Sequence, residues 1–186
     1  MTYVILSKPN CDVVPLSEMK QWLRVSSNSD DILIKSLIDS GVELAEKYMG
    51  RDILTTQYEN YRESFYEDLT LRRGAFQSLD SIEYLVDGSY QTLNSSEYTI
   101  TIGGIFGIVC DIKNVPGTDC DCNAVKITFK TGFGDDPSDV PESIKTAIKM
   151  YVSYLYENRG DCDCGTESGF PMSAQVLLKS YKIVCS

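Results

Sequence analysis

The chain has 186 residues, 42% hydrophobic and 24% charged, enough for one domain that buries about 70% of its unfolded surface without metal or disulfide staples. Its net charge of −10, from 27 acidic against 17 basic residues, argues against a phosphate-neutralising surface for DNA or RNA. There is no histidine, which removes Ser-His-Asp and Cys-His catalysis and every histidine metal site.

No apolar run approaches the roughly 20 residues that a membrane span needs. The opening MTYVILSKPN is too short in its apolar part, and lacks the basic flanks, for a signal peptide, so the expected site of synthesis is cytosolic. Ser17 can cap a short helix over about 17–25, with Pro15 fixing its approach and Met19, Trp22 and Leu23 on one face. A second helix is predicted over 29–50. Ser29 or Asp30 caps it, Ile34, Leu37, Ile38, Ala45, Tyr48 and Met49 form its stripe, Gly41 allows a close neighbour, and Gly50 ends it.

From Ile53 to about 131 the period shifts from 3.6 towards 2, and Thr, Tyr, Val and Ile become frequent. ILTTQYENYRESF reads as a long strand, SIEYLV before Asp87-Gly88 opens a hairpin, YTITI and IFGIVCDI flank Gly103-Gly104, and AVKITFKTGFG is a final strand. The strongest single element follows. In 139–160, DVPESIKTAIKMYVSYLYENRG, Asp139 and Glu142 have capping-box spacing, and Ile144, Ala147, Ile148, Tyr151, Val152 and Leu155 draw a core-facing stripe. Arg159 and Gly160 suit its end. Met150, Tyr154 and Tyr156 lie off that stripe, as a widened core face or as a ridge for a partner.

The predicted fold class is therefore α+β: a helical bundle of two long helices plus shorter ones, carrying an inserted antiparallel β module. Residues 1–160 are expected to form a single domain, with the insert at 53–131, followed by a flexible loop and C-terminal segment at 161–186. Within that segment Val176, Leu177, Leu178, Tyr181 and Ile183 form an apolar set. Docking back on its own core is one reading, and reaching a neighbouring molecule is the other.

The cysteines are Cys11, Cys110, Cys120, Cys122, Cys162, Cys164 and Cys185, four of them in two Asp-Cys-Asp-Cys runs. Two Cys-x-Cys pairs could supply four thiolates to zinc, but structural sites more often leave two to four residues between ligands, and the adjacent aspartates disfavour thiolate. Reduced loop thiols, with no metal and no cofactor, are expected. Gly132-Phe133-Gly134 lacks the lysine and spacing of a phosphate loop, and no carboxylate pair stands out as an acid/base dyad, so no catalytic residue is assigned.

VPLSEMKQWLRV, the 29–50 helix ending in YMGRDILTTQYE, then DVPESIKTAIKMYVSYLYENRG and the late PMSAQVLLKSYKI together resemble the tailed-phage head-tail connector (adaptor, head-completion) family. LTLRRGAF departs from the proline-containing stretch usual there, and the Asp-Cys-Asp-Cys loops are outside the family pattern. The resemblance implies a structural, non-enzymatic protein of the virion neck, assembled in the host cytoplasm, with no membrane contact. It implies a homo-oligomeric ring of about twelve copies whose unlike faces meet head to tail. The implied partners are the portal protein and a tail-side neck or tail-completion protein, with DNA passing through the channel without specific binding. On that reading Val176, Leu177, Leu178, Tyr181 and Ile183 are the portal-binding candidates. Asp119, Asp121, Asp135 and Asp136 are candidates for an acidic channel wall that keeps the duplex from sticking. Two other classes fit parts of the chain: an acidic DNA-mimic inhibitor, and a cysteine-coordinated zinc-binding interaction module.

Overall fold

The computed structural model describes residues 2–65, 69–103, 106–113, 117–119, 121–158 and 170–183. It is a mixed α+β protein that divides into two compact units, one formed by residues 1–9 with 55–133 and the other by 10–54 with 134–186.

The first unit is built from strands β1 (Thr2–Ser7), β2 (Thr56–Arg62), β3 (Thr70–Leu71), β4 (Phe76–Val86), β5 (Ser89–Thr92), β6 (Thr99–Gly103), β7 (Phe106–Cys110) and β8 (Val125–Thr131). They form two antiparallel sheets, ordered β1-β2-β8-β4-β5 and β3-β7-β6. β8 has a partner on each side, and its Val125, Ile127 and Phe129 join Tyr58, Leu71, Ile82 and Val109 in one buried cluster. Phe129 stacks on Tyr58 at 5.8 Å and on Phe76 at 6.5 Å, and the Arg73 guanidinium lies 4.9 Å from the Tyr58 ring centre. Gly107 makes the close approach of the sheets possible, since a Cβ there would sit 2.6 Å from the Phe76 ring.

The expected Asp87-Gly88 hairpin forms, with φ of 51° and 73° at the two residues, the left-handed pair that matches the twist of adjoining strands. The paired runs flanking Gly103 also form, as β6 and β7. Other boundaries move. The long strand expected from Ile53 begins at Thr56, β4 starts at Phe76 rather than Ser81, and β1 was not anticipated as a strand at all. β1 owes its existence to β2, which it meets in the register Tyr3↔Asn60.

The second unit holds helices α1 (Leu16–Leu23), α2 (Asp31–Met49), α3 (Glu142–Glu157) and α4 (Met172–Lys179). α2 and α3 pack together as their stripes require, burying Ile34, Ile38, Ala45 and Met49 on one and Ile144, Ala147, Ile148 and Val152 on the other. A Cβ on Gly41 would lie 3.3 Å from both Ile148 and Tyr151, so glycine sets how near the two axes come. Gly50 ends α2 in the left-handed conformation, φ 70°.

Two expected caps fall elsewhere. Ser17 lies inside α1, whose N-cap position is Pro15. Asp139 does not cap α3. It closes a separate 3-10 turn, Pro137–Asp139, in a capping box with Asp136, and α3 starts beyond Pro141. The proline is the cause: it disfavours helical backbone at the residue before it, and Val140 is extended at φ −81°, ψ 128°. The expected stop at Arg159 and Gly160, and the loop over 161–169, lie outside the described residues. Among the described residues, no helix is long and apolar enough to cross a membrane.

Lys145 and Lys149 are buried on α3 in spite of their charge. Lys145 pairs with Glu142, and Lys149 reaches Glu18 of α1 at 2.7 Å while its ammonium lies 5.3 Å from the Trp22 ring centre. The paired charge and the ring together offset the loss of water around Lys149.

Candidate functional site

The α1, α3 and α4 helices bound a groove of about 300 Å³ lined by Trp22, Met150, Ser153, Tyr154, Glu157, Pro171 and Ser173. Trp22 is held with its ring partly exposed, because its indole N–H donates to Ser153 Oγ at 2.8 Å, and that hydroxyl in turn donates to the Lys149 carbonyl at 2.9 Å. Pro171 and Ser173 bring Met172 alongside, and one turn on comes Val176. These two side chains are 72% and 70% exposed. Trp22, Met150, Tyr154 and Pro171 give the groove apolar walls, edged by Glu157, and α4 exposes Met172 and Val176 beside Ser173, a composition that marks protein contact sites.

α4 itself is fixed to its own unit. Ala174 and Leu178 are fully buried, Phe170 stands 4.7 Å from the Tyr151 ring, and the Ile183 N–H donates to the Met49 carbonyl at 2.8 Å. The five apolar residues expected to act together are thus divided. Val176 points outward, Leu177, Tyr181 and Ile183 are half-buried, and Leu178 belongs to the core. Helix geometry explains the division, since two residues at 100° each put Val176 and Leu178 about 200° apart. Trp22 and Met172 were missed as surface residues because nothing in a short amphipathic stretch says which apolar groups a neighbour covers. Met150 and Tyr154, off the α3 stripe, carried a signal, and both line the groove.

Residues 14–91 match the family of phage gp6-like head-tail connector proteins. A chain in the neck of an empty GTA particle, computed with C6 symmetry, superposes with a TM-score of 0.81 at 14% identity, covering 100% of this chain and 97% of that chain. A chain from the virion of a native gene transfer agent particle gives 0.78 at 15% identity, and one from a native GTA neck computed with C12 symmetry gives 0.74 at 14%, with the same coverage. At such identities the likeness is one of fold. No curated protein matches this chain in sequence.

Of the four channel candidates, Asp119, Asp121 and Asp136 hold turns through their side chains. Asp119 accepts from the Asp87 and Gly88 amides at 3.3 and 3.0 Å, bracing the β4–β5 hairpin, and Asp121 accepts from Asn123 N at 2.8 Å. Asp136 accepts from Ser138 N at 2.9 Å, and this backbone bond, with one to the Ser138 side chain, holds its carboxyl below the usual carboxylate range. The stabilisation so supplied is present above the ordinary carboxylate pKa and is lost as pH falls through the lowered one. The Asp135 carbonyl accepts from the Cys11 thiol at 3.2 Å. Burial, followed by Asp136, Asp12 and Asp135, pushes that thiol above its usual pKa and keeps it protonated.

Cys11, Cys110 and Cys122 are free thiols, and no metal-binding group of three ligands occurs among the described residues. Cys120, Cys162, Cys164 and Cys185 lie outside them. Replacing Cys120, Cys122, Cys162 and Cys164 together by serine is expected to leave folding and assembly intact, with negligible zinc in the parent protein by elemental analysis. Loss of folding together with stoichiometric metal would overturn the loop-thiol reading.

Proposed function

We propose that this protein is a structural, non-catalytic head-tail connector of a phage-like particle: a ring of about twelve copies beneath the portal that joins capsid to tail and lets DNA pass. The observation that carries the proposal is the gp6-like match over residues 14–91, supported by a fold shared along the whole chain with subunits of cyclic particle necks. The helical bundle with its inserted β module is the body of each copy. The portal-facing surface is the exposed side of α4 with Val176 and Leu177, continued past the helix end by half-buried Tyr181 and Ile183 and extended by Met172 and the groove around Trp22. A tail-side neck protein takes the opposite end of the ring. The net charge of −10 per copy favours an acidic channel wall, with Asp119, Asp121, Asp135 and Asp136 as its candidates, which repels the duplex over about 8–10 Å at physiological salt.

Native mass spectrometry of the protein with its portal ring tests the reading. A cyclic complex with about twelve connectors per portal is expected, and two-fold pairing or a single copy per portal would refute it. Changing Met172 and Val176 together to aspartate removes two exposed apolar contacts, at ~1.5–3 kcal/mol each when buried, so portal affinity should fall by at least about 100-fold. The melting temperature should stay within about 2 °C, because neither side chain belongs to the core. Unchanged portal binding would move the contact to another surface.

A further inference from the structure

The two sheets of the β unit end in strands with little of the usual protection, β1 having only a register shift near its end, between Ile5 and Ser7. An open edge carries unpaired N–H and C=O groups, and proteins guard it with lysines, prolines, bulges or short length. β1 is TYVILS and β6 is TITIG, with no charge and no proline in either. Val4, Ile5 and Leu6 of β1 are exposed, Ile5 by 58%. All five residues of β6 are exposed, Ile102 by 61%. The remaining five-stranded-sheet edge, β5, is a different kind of strand. It is four residues of SYQT, with the Tyr90 hydroxyl donating to the Asn123 carbonyl at 2.7 Å and Asp119 bound across its turn.

The two bare edges lie on opposite flanks of the unit. β3 is on the β1 side, since the Tyr3 hydroxyl accepts from Arg72 N at 3.2 Å and Arg62 Nη2 donates to the Thr70 carbonyl at 3.0 Å. β7 lies against β4, with Gly107 under Phe76, and β6 is one strand further from β3. The β3-β7-β6 sheet therefore runs in the same direction as β1-β2-β8-β4-β5, and β6 comes out on the flank away from β1.

A closed ring of identical copies needs two unlike patches that meet head to tail. We propose that β1 of one copy adds to β6 of the next, so that each junction of the ring is a β-strand pairing between second copies of this chain. The pairing spans Thr2–Ile5, because the β1 register breaks between Ile5 and Ser7, and this length matches Thr99–Ile102. Main-chain bonds supply the register, and since alternate residues share a face, Ile100 and Ile102 lie on one face of the joined sheet, where one of Val4 and Ile5 packs beside them and the other lies on the opposite face. The inference rests on the ring reading above and adds which strands make the ring.

Ile5→Lys and Ile102→Lys each place a charge on one edge at a site already more than half exposed, so both variants should keep the parent circular dichroism and melting curve. With the portal ring present, the parent forms rings and neither variant alone closes one. An equimolar mixture gives dimers and nothing larger, because only the β6 edge of the Ile5→Lys copy and the β1 edge of the Ile102→Lys copy remain intact. Either variant forming rings like the parent would overturn the pairing, as would two-fold dimers of Ile102→Lys joined through β1. Hydrogen exchange on the parent protein needs no variant: the outward-facing amides, every second one in residues 2–5 and 99–102, should slow at least tenfold on ring formation, and unchanged rates there would overturn it too. A parent that forms no ring with its portal removes the ring reading itself, an outcome distinct from rings that form without these strands.

Discussion

Ile148→Asp is expected to unfold the helical unit. Ile148 is fully buried on α3, where it faces the Cα of Gly41 at the closest approach of α2. A carboxylate at that position loses its water, is buried without the opposite charge that Lys145 finds in Glu142 and Lys149 in Glu18, and replaces an apolar side chain worth about 1.5–3 kcal/mol. Several kcal/mol of further cost for the buried charge bring the total close to the roughly 5–15 kcal/mol by which a whole domain is stable. The measurement is far-UV circular dichroism with thermal melting: loss of the helical signal or a drop of more than about 15 °C is expected. A soluble variant with the parent spectrum and melting temperature would show that α3 is not the element on which this unit depends.

Arg62→Ala should damage the β unit on a similar scale. Arg62 is the largest fully buried side chain, at the end of β2, with Nε donating to Asn60 Oδ1 at 2.6 Å and Nη2 to the Thr70 carbonyl at 3.0 Å. Alanine withdraws both donors from buried acceptors, at about 1–3 kcal/mol each, and leaves the volume of a long side chain. The expected loss is about 3–5 kcal/mol, read as a fall in the urea midpoint of more than about 1 M. Arg62→Lys keeps the charge and gives up the planar fork, so it should recover only part of that loss. A midpoint within about 0.3 M of the parent for Arg62→Ala would mean that the guanidinium contributes little to holding β3 against β2.

These two positions also mark the limit of what could be read from the chain alone. Ile148 was legible because α3 repeats its apolar residues at helical spacing over four turns, and the pattern itself says that the face is covered. The stripe of α2, the close approach at Gly41 and the Asp87-Gly88 hairpin were legible for the same local reason. Arg62 was not, since arginine in an alternating strand reads as a surface residue until the position of Thr70 is known. β1 was missed because its partner lies about fifty positions away at Tyr58 and Asn60, and a six-residue run has no helical or turn signature to announce it. The candidate site was half legible. Val176 and its neighbours could be picked out as surplus apolar residues, but their division between core and surface depends on how α4 is rotated against α3, a tertiary fact.

Neither unit is a continuous run of chain, and this orders their biogenesis. The path passes between them at residues 9–10, 54–55 and 133–134, the latter two held together by a bridge between Leu54 and Gly134. As the polypeptide leaves the ribosome, α2 is complete while the helix that covers Ile34, Ile38, Ala45 and Met49 has yet to be translated, and every strand from β2 to β8 is made in between. At roughly 5–20 residues per second that interval lasts on the order of ten seconds. The β unit can therefore close first, around an N-terminal strand that has been waiting for β2. For the whole of that time the α2 stripe is an unshielded, sticky ridge on a nascent chain, the point at which a chaperone would bind and at which slowed translation would lead to aggregation.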